Sequence, residues 1–140
     1  MRNAFGPLAG GHFSTPGATA VTAIIYHNPR CSKSRQALEL LRERGIEARV
    51  IEYLKTPPDA ATLRALLRML GCPARDLLRR GEEAFASLGL AARLDDDEAL
   101  IATMVDHPEL IERPVIVIDE RAVIGRPPEK LLALLADVAR

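Results

Sequence analysis

A chain of 140 residues, 48% hydrophobic and 27% charged, has the length and composition of one globular domain that closes a core without metal or disulfide staples, which excludes disordered, collagen-like and disulfide-scaffold classes. Nineteen Lys and Arg balance nineteen Asp and Glu, so the uncompensated cations on which nonspecific nucleic-acid binding depends are missing. The two cysteines, Cys31 and Cys72, form no CxxC pair; neither a zinc site nor a redox pair follows from their spacing, and a reduced, cytoplasmic setting with one working thiol is expected.

Residues 1–20 (MRNAFGPLAGGHFSTPGATA) are rich in Gly, Pro, Ser and Thr and read as a flexible tail that includes His12. No apolar run there is long enough for a signal-peptide core or a membrane span. Residues 21–140 read as a single domain. The β-branched run 21–26 (VTAIIY) suits a strand buried on both faces, and after a short loop Ala37, Leu38 and Leu41 recur at helical spacing from Ser32 until Gly45. Val50, Ile51, Tyr53 and Leu54 predict a second strand, and strand, helix, strand implies a right-handed crossover with parallel pairing.

The middle of the chain reads as helical. Leu63, Leu66, Leu67 and Leu70 form a stripe ending at Gly71, and Leu77 and Leu78 belong to a shorter segment ending near Gly81. Leu100, Ile101, Met104 and Val105 form another stripe, closed by His107-Pro108, with His107 expected in solvent. The acidic run Asp95-Asp96-Asp97 at its start suits the helix dipole better than a metal. Residues 115–118 and 122–124 predict a hairpin across Asp119-Glu120-Arg121, and Pro127-Pro128 open a last helix with Leu131, Leu132, Leu135 and Val138. The order β-α-β, helical insertion, β-β-α is the plan of a thioredoxin-like α/β sandwich on a mixed four-stranded sheet.

The chemically informative stretch is His27-Asn28-Pro29-Arg30-Cys31-Ser32-Lys33-Ser34-Arg35, where the first strand delivers the chain to the first helix. Unpaired N–H groups and the positive helix end favour thiolate over thiol there, so Cys31 is expected to be acidic. His27, Lys33 and Arg35 are expected to add positive charge, with the Ser34 hydroxyl as a donor to the sulfur. The same features hold oxyanions. Cys72, between Gly71 and Pro73, has no such setting and reads as a small apolar filler. Arg113 and Arg126 each precede a proline, which fixes their backbone as extended and leaves either peptide bond open to the cis form.

These residues resemble the glutaredoxin-dependent arsenate reductases of the thioredoxin-like superfamily. The anchors are His27-Asn28-Pro29-Arg30-Cys31, Ser34-Arg35, Tyr53-Leu54 with Pro57-Pro58, Arg75-Asp76-Leu77-Leu78-Arg79, His107-Pro108, Arg113-Pro114 and Arg126-Pro127. The well-studied reductases carry Gly-Thr after the cysteine; Ser32-Lys33 here resembles a sister branch. The resemblance implies that Cys31 is the nucleophile, that Arg79, Arg113 and Arg126 hold the anion, and that His27 helps to lower the thiol pKa, with Asn28, Ser34 and Arg35 in support. It further implies arsenate as substrate, glutathione as co-substrate, glutaredoxin as partner, and no bound cofactor or metal. Two other functions stay open: a redox-linked regulator of the same fold that binds RNA polymerase, and a glutathione-dependent thiol transferase. Retention of all three arginines favours the enzyme over an adaptor.

Overall fold

A computed structural model describes residues 22–138, so the expected tail and His12 lie outside the described residues. Strand β1 (Thr22–His27) leads into helix α1 (Ser32–Glu43), which stops before Gly45 at φ 70° and returns as β2 (Glu47–Glu52). Strands β3 (Val115–Ile118) and β4 (Arg121–Ile124) form the hairpin, and α5 (Lys130–Val138) follows. The sheet order is β2-β1-β3-β4, with β1 parallel to β2 and antiparallel to β3, and β3 antiparallel to β4. This is the mixed thioredoxin-like sheet that the element order implied.

Alternation along the inner strands sorts their side chains into two cores. Ala23, Ile25, Ile116 and Ile118 pack against α1 and α5, through Ala37, Leu38, Leu41, Leu131 and Leu134. Tyr26, Val115 and Val117 face the other way, onto α2 (Ala60–Leu70) and α4 (Asp97–Asp106), through Leu63, Leu66, Leu100 and Met104. All four residues of β3 are therefore buried, as its unbroken β-branched run requires. Among the described residues, no helix is long and apolar enough to cross a membrane.

Several boundaries differ from those expected. Strand β2 ends at Glu52, so Tyr53 and Leu54 lie beyond it, Tyr53 buried and Leu54 exposed. As an edge strand with polar residues between its apolar ones, β2 lacks the continuous run that marks β1 and β3. Residues 74–77 form a 3-10 turn and Leu78 leaves it in extended geometry to bridge Ile111. A short helix α3 (Glu83–Ser87) went unpredicted because none of its residues is buried and no apolar stripe marks it. The hairpin turn is Asp119-Glu120, with Asp119 at φ 57° and Arg121 already in β4. Helix α5 begins two residues after Pro128 and buries Leu131 and Leu134, while Leu132 and Leu135 are only partly covered.

The acidic run divides its work. Asp96 caps α4 by accepting from the Ala99 amide at 3.1 Å, Asp97 accepts from the Ala74 amide at 3.2 Å, and Asp95 pairs with Arg75 at 2.9 Å. His107 is half-exposed, with Nδ1 3.5 Å from a Glu109 carboxylate oxygen.

Candidate active site

Cys31 sits at the N-cap of α1, at the carboxyl end of β1, and is only 9% exposed. The loop before it is held by its own polar groups. The Cys31 amide donates to the Asn28 carbonyl at 2.9 Å, the Arg30 amide to Asn28 Oδ1 at 3.0 Å, and the Arg35 guanidinium to the Pro29 carbonyl at 2.8 Å. Beneath the loop, Ser34 Oγ accepts from the Asn28 amide at 3.1 Å and lies 2.7 Å from His27 Nδ1, in a hydrogen bond whose direction follows the imidazole tautomer. All three of His27, Asn28 and Ser34 are buried.

Burial pushes the Cys31 thiol up, but the Ser34 backbone N–H, the Arg113 guanidinium and the Lys33 backbone N–H outweigh it and hold the thiol below its ordinary value. Two expectations change here. The Ser34 hydroxyl is occupied by His27 and Asn28, so it is the Ser34 amide that serves the sulfur. Burial also holds the His27 imidazole below its ordinary value, with Arg42 and Arg35 adding to that and Glu52 opposing it. His27 is thus mainly neutral at pH 7; the positive charge expected of it comes from arginine. Arg35 spends its guanidinium on Pro29, and Lys33 contributes through its main chain.

The three distant arginines meet at this point. Arg126 donates from one terminal nitrogen to Cys31 Sγ at 3.6 Å and to the Arg113 carbonyl at 3.4 Å. Both Arg113-Pro114 and Arg126-Pro127 are cis. The Gly125 amide donates to the Pro114 carbonyl at 2.8 Å, which ties the two arginine-bearing turns together. A Cβ at Gly125 would lie 2.9 Å from Ile116 Cδ1 and 3.1 Å from Pro114 Cγ, so any larger residue there makes those side chains shift. Arg79 is brought in by main-chain pairing, its amide donating to the Leu110 carbonyl at 2.7 Å and the Glu112 amide to the Leu77 carbonyl at 2.7 Å.

Residues 26–134 match the ArsC family. The chain belongs to that family. It is 54% identical over 112 residues to the uncharacterized protein YfgD of Escherichia coli K12, covering 79% of this chain and 94% of that one. It is 46% identical over 112 residues to an arsenate reductase of Neisseria meningitidis serogroup A, covering 79% and 96%. A solved structure of an arsenate reductase from Vibrio cholerae superposes with a TM-score of 0.79 at 45% identity, covering 82% of this chain and 98% of that one.

Around this ArsC-family cysteine, three further groups stand out, two carboxylates that no motif marks and one aromatic residue of the family anchors. Glu112 accepts from Arg79 at 2.6 Å and from the Arg113 amide at 3.3 Å, and its carboxylate is 3.8 Å from Arg126 Nε. Glu82 lies 3.3 Å from Arg79 Nε and 3.9 Å from Arg113. Two carboxylates among three guanidinium groups leave one formal positive charge, so the arginines are held apart and aligned at moderate local charge. The third is Tyr53, 1% exposed, which joins His27, Asn28, Glu82 and Arg113 in lining a cavity of about 400 Å³ beside the cysteine loop. Glu112 was legible only as the residue before an Arg-Pro step; Glu82 carried no signal at all.

Proposed function

We propose that this protein reduces arsenate to arsenite, with Cys31 as the nucleophile and glutathione and glutaredoxin as the source of electrons, in the cytoplasm, where those thiols are kept reduced. The observation that carries this reading is the Arg126 guanidinium 3.6 Å from the sulfur of a cysteine at a helix N-terminus, with Arg113 beside it. An adaptor surface has no use for a thiolate facing converged, largely covered arginines.

Thiolate attack on arsenate brings like charges together and then places charge on a departing oxygen. Guanidinium groups offset both, because they stay charged and offer paired donors to one oxyanion. Arg113 and Arg126 stand at the sulfur, and Arg79 reaches the same place through its carboxylate partners. The Cys31 thiolate forms a sulfur–arsenic bond and displaces hydroxide, which leaves as water after protonation. The glutathione thiolate then displaces a second hydroxide from arsenic, which also leaves as water after protonation, so that arsenic carries one sulfur from Cys31 and one from glutathione. The glutaredoxin thiolate attacks the glutathione sulfur, the sulfur–arsenic electron pair stays on arsenic, and As(V) becomes As(III) as the mixed disulfide departs. Hydrolysis releases arsenite and returns the Cys31 thiolate. One protein cysteine suffices, in keeping with the missing CxxC.

The test is a coupled assay with purified protein, arsenate, glutathione, glutaredoxin, glutathione reductase and NADPH. Arsenate-dependent NADPH oxidation that vanishes in Cys31→Ser is the expected result. No turnover with arsenate, together with turnover of a glutathione mixed disulfide, would replace the reading with a thiol transferase.

A further inference from the structure

Taking the oxyanion reading as its basis, we propose that the Tyr53 hydroxyl is a donor to the oxyanion bound at Cys31, acting beside Arg113 Nε. Among the described residues, two buried side-chain polar atoms have no hydrogen-bond partner, Tyr53 Oη and Arg113 Nε. Folded proteins seldom leave such atoms unsatisfied, and an exception calls for a specific cause. These two are not scattered. Both residues line the same cavity beside the cysteine loop, and the Tyr53 phenol lies within electrostatic reach of Arg113, Arg79 and Cys31.

Protein groups near the phenol do not supply the missing bond. The Asn28 carboxamide faces it outside hydrogen-bonding geometry, and Asn28 Oδ1 already accepts from the Arg30 amide. Glu82 reaches the terminal nitrogen of Arg113 at 3.9 Å, which leaves Nε unserved. A guanidinium N–H only donates and a phenol donates readily, so the partner that satisfies both is an acceptor. Arg113 and Arg79 near the phenol favour an anionic acceptor, and the cavity of about 400 Å³, whose lining also includes Glu52, Glu82 and Glu109, leaves ample room for one. A tetrahedral oxyanion has these properties. The ring of Tyr53 packs into the core with Leu63, Leu66 and Leu78, a task phenylalanine performs equally well, so packing alone does not account for the hydroxyl.

The test compares wild type with Tyr53→Phe in the reduced full-length protein, by thermal melting with sodium arsenate, phosphate or sulfate and by titration calorimetry with arsenate. An unpartnered buried hydroxyl contributes no stability, so without ligand the variant is expected to melt at the same temperature or higher. Its arsenate affinity is expected to fall about tenfold and its oxyanion-induced rise in melting temperature to shrink, while the pH midpoint of Cys31 alkylation stays in place. A structural hydroxyl would give the opposite pattern: a lower melting temperature without ligand and an unchanged oxyanion response. Either half of that pattern overturns the proposal while leaving the arsenate reading standing. A wild-type protein that no oxyanion stabilises overturns the arsenate reading and this proposal together.

Discussion

The two cysteines of this chain sit at opposite kinds of helix end, and their acidities diverge accordingly. Cys31 is the N-cap of α1, where the Ser34 and Lys33 amides and the Arg113 guanidinium face its sulfur. Cys72 follows Gly71, which closes α2 at φ 69°, and lies against the negative end of that helix with Asp76 and Asp97 nearby. Burial pushes both thiols up. It is outweighed at Cys31 and reinforced by the two aspartates at Cys72, so one thiol is held below its ordinary value and the other above. Shelter from water therefore does not decide a thiol's acidity here; the sign of the surrounding dipoles and charges does.

The largest effect expected from breaking this contrast is at the sulfur itself. Cys31→Ser is expected to abolish arsenate reduction in the coupled assay, and Cys72→Ser to retain most of it. Comparable losses in the two variants would place Cys72 in the reaction as a resolving thiol.

Next come the arginines that make the Cys31 side positive. Arg113→Ala and Arg126→Ala are each expected to lower kcat/KM for arsenate by about 1.5–3 kcal/mol, the range for a charge-assisted hydrogen bond. Lysine in either place recovers part of this, because it brings charge without the paired donors. Normal folding by circular dichroism with undiminished kcat/KM would reduce the arginines to surface charges.

A third set sharpens the contrast through pH. Iodoacetamide is expected to modify Cys31 with a midpoint below that of a free thiol, roughly 8.5, and Cys72 with one above it. Arg113→Ala moves the Cys31 midpoint upward, whereas His27→Ala moves it little, because the imidazole is mainly neutral and touches Ser34 rather than the sulfur. A large upward shift in His27→Ala would give that ring a charge the structure denies it. Stability follows with the sign fixed by linkage. The native fold favours the Cys31 thiolate, so its contribution is present above the unfolded thiol pKa and is lost as pH falls through the folded one. Urea denaturation at rising alkaline pH is thus expected to widen the gap between wild type and Cys31→Ser.

The smallest effect on the site serves as a control. Asp96→Ala removes the cap of α4 and is expected to cost about 1 kcal/mol of stability while leaving the Cys31 alkylation midpoint where it was.

What could be read from the sequence divides along the same line. The Cys31 side is local: strand, loop and helix N-terminus are contiguous, so the dipole and the amides follow from spacing alone. The destination of each side chain did not follow, because Ser34 had two polar neighbours to choose from and its hydroxyl went to His27 and Asn28. Convergence of Arg79, Arg113 and Arg126 depends on a hairpin, a cross-chain bridge at Leu78 and Ile111, and main-chain bonds to Leu110 and Leu77. None of these leaves a periodic trace, and only the family resemblance pointed to the three together. Tyr53 reads as part of a strand from its apolar neighbours Val50, Ile51 and Leu54; its burial comes from the helical insertion packing over the end of β2.

Gly125 carries a cost out of proportion to its size. It stands one residue from Arg126 and shares a hydrogen bond with Pro114, yet it offers no functional group to any ligand. Even a methyl group there would press on the side chains of Ile116 and Pro114, the second of which adjoins Arg113. A mutational scan scored only by loss of activity would count position 125 as sensitive although it meets no ligand. Transplanting the cysteine and arginines onto another scaffold would therefore also require a residue without a side chain beside them.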